Sequence, residues 1–82
     1  MDKINTLRKE IDTIDEQLMN LLDKRYNLTN QIGILKTKTE KVIEDVDRES
    51  KILNKISKYG HSPSIELVYK AIINESKNKQ RK

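Results

Sequence analysis

Apolar residues recur in steps of three and four along the N-terminal part of the chain, and the slot between Leu21 and Leu28 in that seam is Arg25. A guanidinium among apolar side chains costs several kcal/mol unless it is paired. A polar residue at one seam position can fix the register of a helix pair. The stronger expectation is that Arg25 faces a cavity holding an anion, a carboxylate that its planar fork grips with two bonds. Arg8 and Lys36 each directly follow a seam leucine, and either alone would be an edge residue with its charged head in water. In combination they let one long helix present three cations toward an interface.

Two further sets of polar residues stand out. Stepping by fours from Ile72 gives Ser76 and then Gln80, where apolar residues would be expected. Fraying near a terminus accounts for such a pair; an ordered helix would instead aim a neutral hydroxyl and a neutral amide inward. Asp45, Arg48 and Glu49 cluster at the expected start of a second helix, where acids are ordinary complements of the helix dipole. Taken together, these residues can line a small, polar, mainly cationic pocket, which suits a compact dianion better than a polymer. No nucleophile–base pair is evident, because the chain has no cysteine and its one histidine, His61, falls in an expected turn. Disulfides and zinc–thiolate sites are excluded, and no metal or cofactor site is expected.

The elements that must position these groups follow from periodicity. The seam Ile4, Leu7, Ile11, Ile14, Leu18, Leu21, Leu28, Ile32 and Leu35 predicts one helix from about Ile4 to Lys38. At the usual rise it is on the order of 50 Å long. Gly33 is its weak point, costing about 1 kcal/mol relative to Ala; such a glycine is either tolerated or marks the close approach of another backbone. Thr37 to Glu44 is polar and unpatterned and reads as a loop. Asp45 or Asp47 then caps a second helix, with Ile52, Leu53, Ile56 and Tyr59 on its inner face and Gly60 at its end. Ser62 and Pro63 signal a third helix, as cap and first-turn proline. That helix carries Ile65, Val68, Tyr69, Ile72 and Ile73 and continues towards Gln80.

The 82 residues leave room for one domain, residues 1–82, and 34% of them are hydrophobic, which is little for a core in so small a chain. A helix of this length cannot fold its seam onto two short helices without leaving much of it wet. The expected architecture is therefore all-α, with three helices per protomer, one long and two shorter, interlocked as a homodimer. The net charge is +4. From Met1 to Tyr69 twelve basic residues balance twelve acidic ones, and the excess lies from Lys70 onward. Residues 77–82 read as a basic, fraying tail. A balanced body with three Tyr and neither Trp nor Phe argues against nucleic acid as the partner. No apolar run approaches a membrane span and no signal-peptide pattern opens the chain, so a cytoplasmic protein is expected.

These residues, in this order, resemble the all-helical class of chorismate mutases. The resemblance runs from Leu7-Arg8, Ile11-Asp12 and Ile14-Asp15 through Leu22, Lys24-Arg25, Ile32-Gly33 and Lys36. It continues through Asp45-Val46-Asp47-Arg48-Glu49 to Ile72-Ile73, Ser76 and Gln80. It covers nearly the whole chain, and the ordered set is far more specific than any element in it.

The resemblance implies a homodimer interlocked through the long first helices, with Arg8 contributed to each site by the partner protomer. It implies that Arg25 binds a substrate carboxylate, that Lys36 and Gln80 contact the ether oxygen, and that Glu49 with the backbone near Asp45 holds the substrate hydroxyl. Arg48 and Ser76 complete the contacts. The implied reaction is the [3,3] rearrangement of chorismate to prephenate in phenylalanine and tyrosine biosynthesis, which needs no cofactor or metal. Holding one reactive conformer and stabilising charge on the ether oxygen suffice. Rival readings are an isochorismate–pyruvate lyase of the same fold and a non-catalytic helical dimer. In this family the domain is often fused to another enzyme of the pathway.

Overall fold

The structure, a computed structural model, describes residues 2–39 and 46–80, apart from the side chains of residues 36–39 and 46. The described residues form three helices: α1 (Asp2–Thr39), α2 (Val46–Ile56) and α3 (Ser62–Gln80). This is the expected all-α order. Helix α1 runs for 38 residues. It takes in residues 37–39, which the sequence assigned to the loop, because the helix continues past the end of the apolar seam. The rest of that expected loop, residues 40–44, lies outside the described part.

Local chemistry sets the ends of the shorter helices. Asp47 and Glu49 lie in the first turn of α2 and Lys55 in its last, the arrangement that the helix dipole favours. Asp45, the other expected cap, lies outside the described residues. Beyond Ile56 the backbone tightens. The amides of Ser57, Lys58 and Tyr59 donate to the carbonyls of Asn54, Lys55 and Ile56, each bond reaching back three residues, as in 3₁₀ turns. Gly60 therefore does not end α2 as expected, and neither glycine has a positive φ. The first full α-helical bond of α3 runs from the Ile65 amide to the His61 carbonyl at 3.0 Å. That puts His61, not Ser62, at the cap position, with Ser62 and Pro63 in the first turn, where a missing amide costs nothing.

Helix α3 packs against both α1 and α2. Ile56 and Ile73 are the buried apolar residues, with Ile52, Leu53, Ile65, Tyr69 and Ile72 half-buried around them. Two expected inner-face residues lie outside this core, Tyr59 at 63% and Val68 at 59% exposure. Tyr59 follows the end of α2, so helical periodicity no longer aims it inward. Val68 sits about 100° around α3 from the centre of its buried stripe, at the usual turn per residue.

The face of α1 that α3 covers is small and polar, centred on buried Thr29 and Gly33. The apolar seam is bare: Ile4, Leu7, Ile11, Ile14, Leu18, Leu21, Leu28, Ile32 and Leu35 are between 39% and 63% exposed. From Asp2 to Ile14 every residue is exposed. The shape follows from this. The chain measures 56 × 24 × 14 Å with a radius of gyration of 16.1 Å, against about 12 Å for a compact domain of this length. Its accessible surface is 7153 Å², where a folded monomer of this mass exposes about 5,100 Å². Among the described residues no helix is long and apolar enough to cross a membrane.

Candidate functional site

Each helix brings one short stripe to a common cavity of about 460 Å³. Helix α1 supplies Arg25, Thr29 and Ile32, spaced four and three apart and so on one face. The first turns of α2 supply Arg48, Glu49 and Ile52, and the C-terminal half of α3 supplies Ile73, Ser76, Lys77 and Gln80. Among the described residues the lining carries three cations, Arg25, Arg48 and Lys77, against the single carboxylate of Glu49, an excess of two positive charges.

Arg25 is half-buried and held from two sides. Its Nη1 donates to the Ser76 hydroxyl at 2.5 Å, and its guanidinium carbon lies 5.9 Å from the centre of the Tyr69 ring. Ser76 Oγ in turn donates to the Ile72 carbonyl at 2.8 Å, so the hydroxyl proton is committed and the lone pairs face the arginine. The polar residue in the seam is thus pre-positioned, with its remaining N–H groups available to an anion.

Thr29 is also buried, and its hydroxyl donates to the Tyr26 carbonyl at 2.9 Å. Across the cavity Lys77 Nζ stands 3.0 Å from Glu49 Oε2 and joins α3 to α2. Gln80 lines the same cavity, and its buried Oε1 has no hydrogen-bond partner. An unpaired buried amide oxygen costs about 1–3 kcal/mol. A half-turn of the amide exchanges Oε1 for the Nε2 donor, so the group is suited to a ligand that supplies its missing partner.

Gln80 owes its place to Gly33. A Cβ built on Gly33 would lie 2.7 Å from Gln80 Cα and 2.9 Å from the Gln80 carbonyl oxygen. This is the close backbone approach that the glycine suggests in the sequence. Only a residue without a side chain lets the end of α3 settle onto α1.

Of the residues singled out in the sequence, the cavity brings together Arg25, Arg48, Glu49, Ser76 and Gln80. Arg8 is exposed and lies on α1 seventeen residues before Arg25, about 25 Å away along the helix, so it does not reach this cavity within one chain. Lys36 belongs to α1, but its side chain lies outside the described part, as does Asp45. Two polar residues of the cavity are not among those the sequence singles out, Thr29 and Lys77. Thr29 lies four residues from both Arg25 and Gly33, a spacing that marks it. Lys77 neighbours Ser76 and precedes Gln80 by three, but reads as part of the basic tail. Among the described residues no group of three or more His, Asp or Glu side chains could hold a metal ion.

Fold and cavity together define an all-helical chain carrying a small, net-cationic pocket built from three helices. The chain belongs to the chorismate mutase type II family, which matches it over residues 7–81. It is similar to the bifunctional chorismate mutase/prephenate dehydratase of Aquifex aeolicus, 43% identical over 56 residues, covering 68% of this chain and 16% of that protein. The enzyme of the same name from Buchnera aphidicola subsp. Acyrthosiphon pisum is 36% identical over 80 residues, covering 92% of this chain and 21% of that protein. That of Escherichia coli is 30% identical over 63 residues, 77% of this chain and 16% of that protein. The chain thus spans 16–21% of the length of these curated relatives. Their names carry the mutase and not the lyase. No solved structure matches the chain significantly.

Proposed function

We propose that this chain catalyses the rearrangement of chorismate to prephenate, in the cytoplasm, as a homodimer whose first helices interlock. The observation that carries the reading is the cavity that unites Arg25, Arg48, Ser76 and Gln80 in a chain of this family. Its two excess positive charges complement a dicarboxylate, and its buried amide lacks a partner.

The chemistry asks little beyond this. One C–O bond breaks and one C–C bond forms within a single molecule, so no nucleophile or proton carrier is required. Arg25, held by Ser76, grips one carboxylate and Arg48 helps to neutralise the charge. Glu49 accepts the substrate hydroxyl. With both ends held, the flexible part of the substrate is confined to its reactive, chair-like form. Gln80 and Lys36 donate to the ether oxygen, which gains negative charge as the bond breaks. Their contribution is largest in the transition state, which is the condition for catalysis.

The bare seam supports the homodimer. An excess of about 2,000 Å² over a compact monomer is the scale of surface that an obligate interface removes from water. A second copy, pairing its own α1 along this seam, brings its Arg8 toward the far cavity and adds the cation that one chain cannot supply.

The test is loss of chorismate absorbance with purified protein, with the product identified by acid conversion to phenylpyruvate. Prephenate formed at an enzymatic rate, and lost in Arg25→Ala, is expected. An inert parent protein would overturn the reading.

A further inference from the structure

We propose that Lys77 is a positioning residue of this pocket, holding Glu49 and offsetting its charge so that a dicarboxylate is accepted beside a carboxylate; this rests on the functional reading above. The difficulty that Lys77 resolves is electrostatic. Among the described residues Glu49 is the one carboxylate lining the cavity. A substrate bearing two more must approach it in a half-enclosed space, where like charges are poorly screened.

The geometry gives Lys77 this role. Its ammonium lies 3.0 Å from Glu49 Oε2, with the two side chains 20% and 29% exposed. The pair is therefore more sheltered than an ordinary surface ion pair, whose worth is small. It spans two helices, and it engages Oε2, while the second oxygen is the acceptor that the substrate hydroxyl requires. Among the described residues the charged side chains lining the cavity with Glu49 are Arg48 on its own helix, Arg25 on α1 and Lys77 on α3. Arg25 is already directed by Ser76 and is needed for the substrate. Lys77 thus supplies the counter-charge that leaves the arginine fork for the ligand. A carboxylate without it would swing toward Arg25 and compete with the substrate for that fork.

The consequence is a coupling between Lys77 and Glu49. Lys77→Met, which keeps the length of the side chain without its charge, is expected to lower kcat/KM roughly tenfold, mainly through KM. Lys77→Arg is expected to retain most of the activity. In a Glu49→Gln background the same Lys77→Met change is expected to cost no more than about twofold, because no carboxylate remains to be held. Calorimetric binding of prephenate should follow the same pattern without turnover, and melting temperatures check that each variant folds. Should Lys77→Met fail to fold, Lys77→Gln takes its place.

Parental kinetics in the neutral variant would overturn the proposal. So would a loss of equal size in both backgrounds, which would make Lys77 a direct ligand or a purely structural residue. A parent protein that neither turns over chorismate nor binds prephenate would remove the functional reading and this inference together. An active parent with a silent Lys77 would remove the inference alone.

Discussion

Gly33 and Gln80 are in backbone contact: a methyl group on Gly33 would stand 2.7 Å from Gln80 Cα. The neighbour is main chain, which cannot rotate aside, so the end of α3 must move to admit a side chain. The same Gln80 carries the buried amide of the cavity. A change on α1 thereby acts on a group of α3.

Gly33→Ala is accordingly expected to lower kcat by about a hundredfold, the scale of a misplacement of roughly 1 Å at a reacting atom. The gain in helix propensity, about 1 kcal/mol, opposes the overpacking cost of about 1–3 kcal/mol. The net cost is about 0–2 kcal/mol, so the variant should still fold, with a lowered melting temperature at most, while activity falls. A melting curve beside a kinetic assay checks this, and near-parental kcat would show that Gln80 is not held through Gly33.

Arg25 and Ser76 should differ in their effects although they are bonded. Arg25→Ala removes the carboxylate fork, and kcat/KM is expected to drop by about a thousandfold or more. Ser76→Ala removes one acceptor from the guanidinium and one donor from the Ile72 carbonyl, a loss of about 1 kcal/mol or roughly fivefold. Equal losses in the two variants would place Ser76 on the substrate and not behind Arg25.

Gln80 fixes the expected pH profile. An amide donates whatever the pH, so activity should stay roughly level through neutral pH. Gln80→Glu offers a donor only when protonated, and its activity is expected to rise as the pH is lowered and to vanish as it is raised. A steep fall in the parent protein between pH 6 and 8 would count against the role of the amide. Lys36→Ala is expected to lose several kcal/mol of transition-state stabilisation while the dimer persists.

The bare seam predicts the assembly. Light scattering should give twice the chain mass of 9.6 kDa, and the melting temperature should rise with protein concentration. Leu18→Glu, which puts a charge in the middle of the bare seam, is expected to abolish the dimer and most helical structure with it.

The proposed contribution of Arg8 across the interface has a separate consequence. Arg8→Ala and Arg25→Ala proteins, each nearly inactive, should recover about a quarter of parental activity when co-refolded in equal amounts. Half of the dimers are then mixed, and each mixed dimer holds one intact site. No recovery on mixing would place both arginines in the same protomer's site.

What the sequence determined by itself is what depends on neighbours along the chain. The three-and-four spacing of Ile4 through Leu35 specifies a long helix, and Pro63 locates the start of α3 to within a residue. Arg25 in an apolar seam, and Ser76 and Gln80 one turn apart after Ile72, announce polar groups aimed inward. The cavity brings those three together with Arg48 and Glu49. The ordered set of residues also suffices for the family to which the chain belongs. Tertiary structure decided which stripes meet. Tyr59 and Val68 carry the right chemistry for a core and lie outside it, because the end of α2 and the rotation of α3 about its axis are set by packing. Lys77 reads as one more lysine of a basic tail, and only the approach of α2 to α3 makes it the partner of Glu49. Gly33 hints at a close approach, but which backbone arrives there depends on how α3 returns along α1. Periodicity is a local property and survives translation into helices; the meeting of residues 51 positions apart, as Arg25 and Ser76 do, is a property of the folded chain.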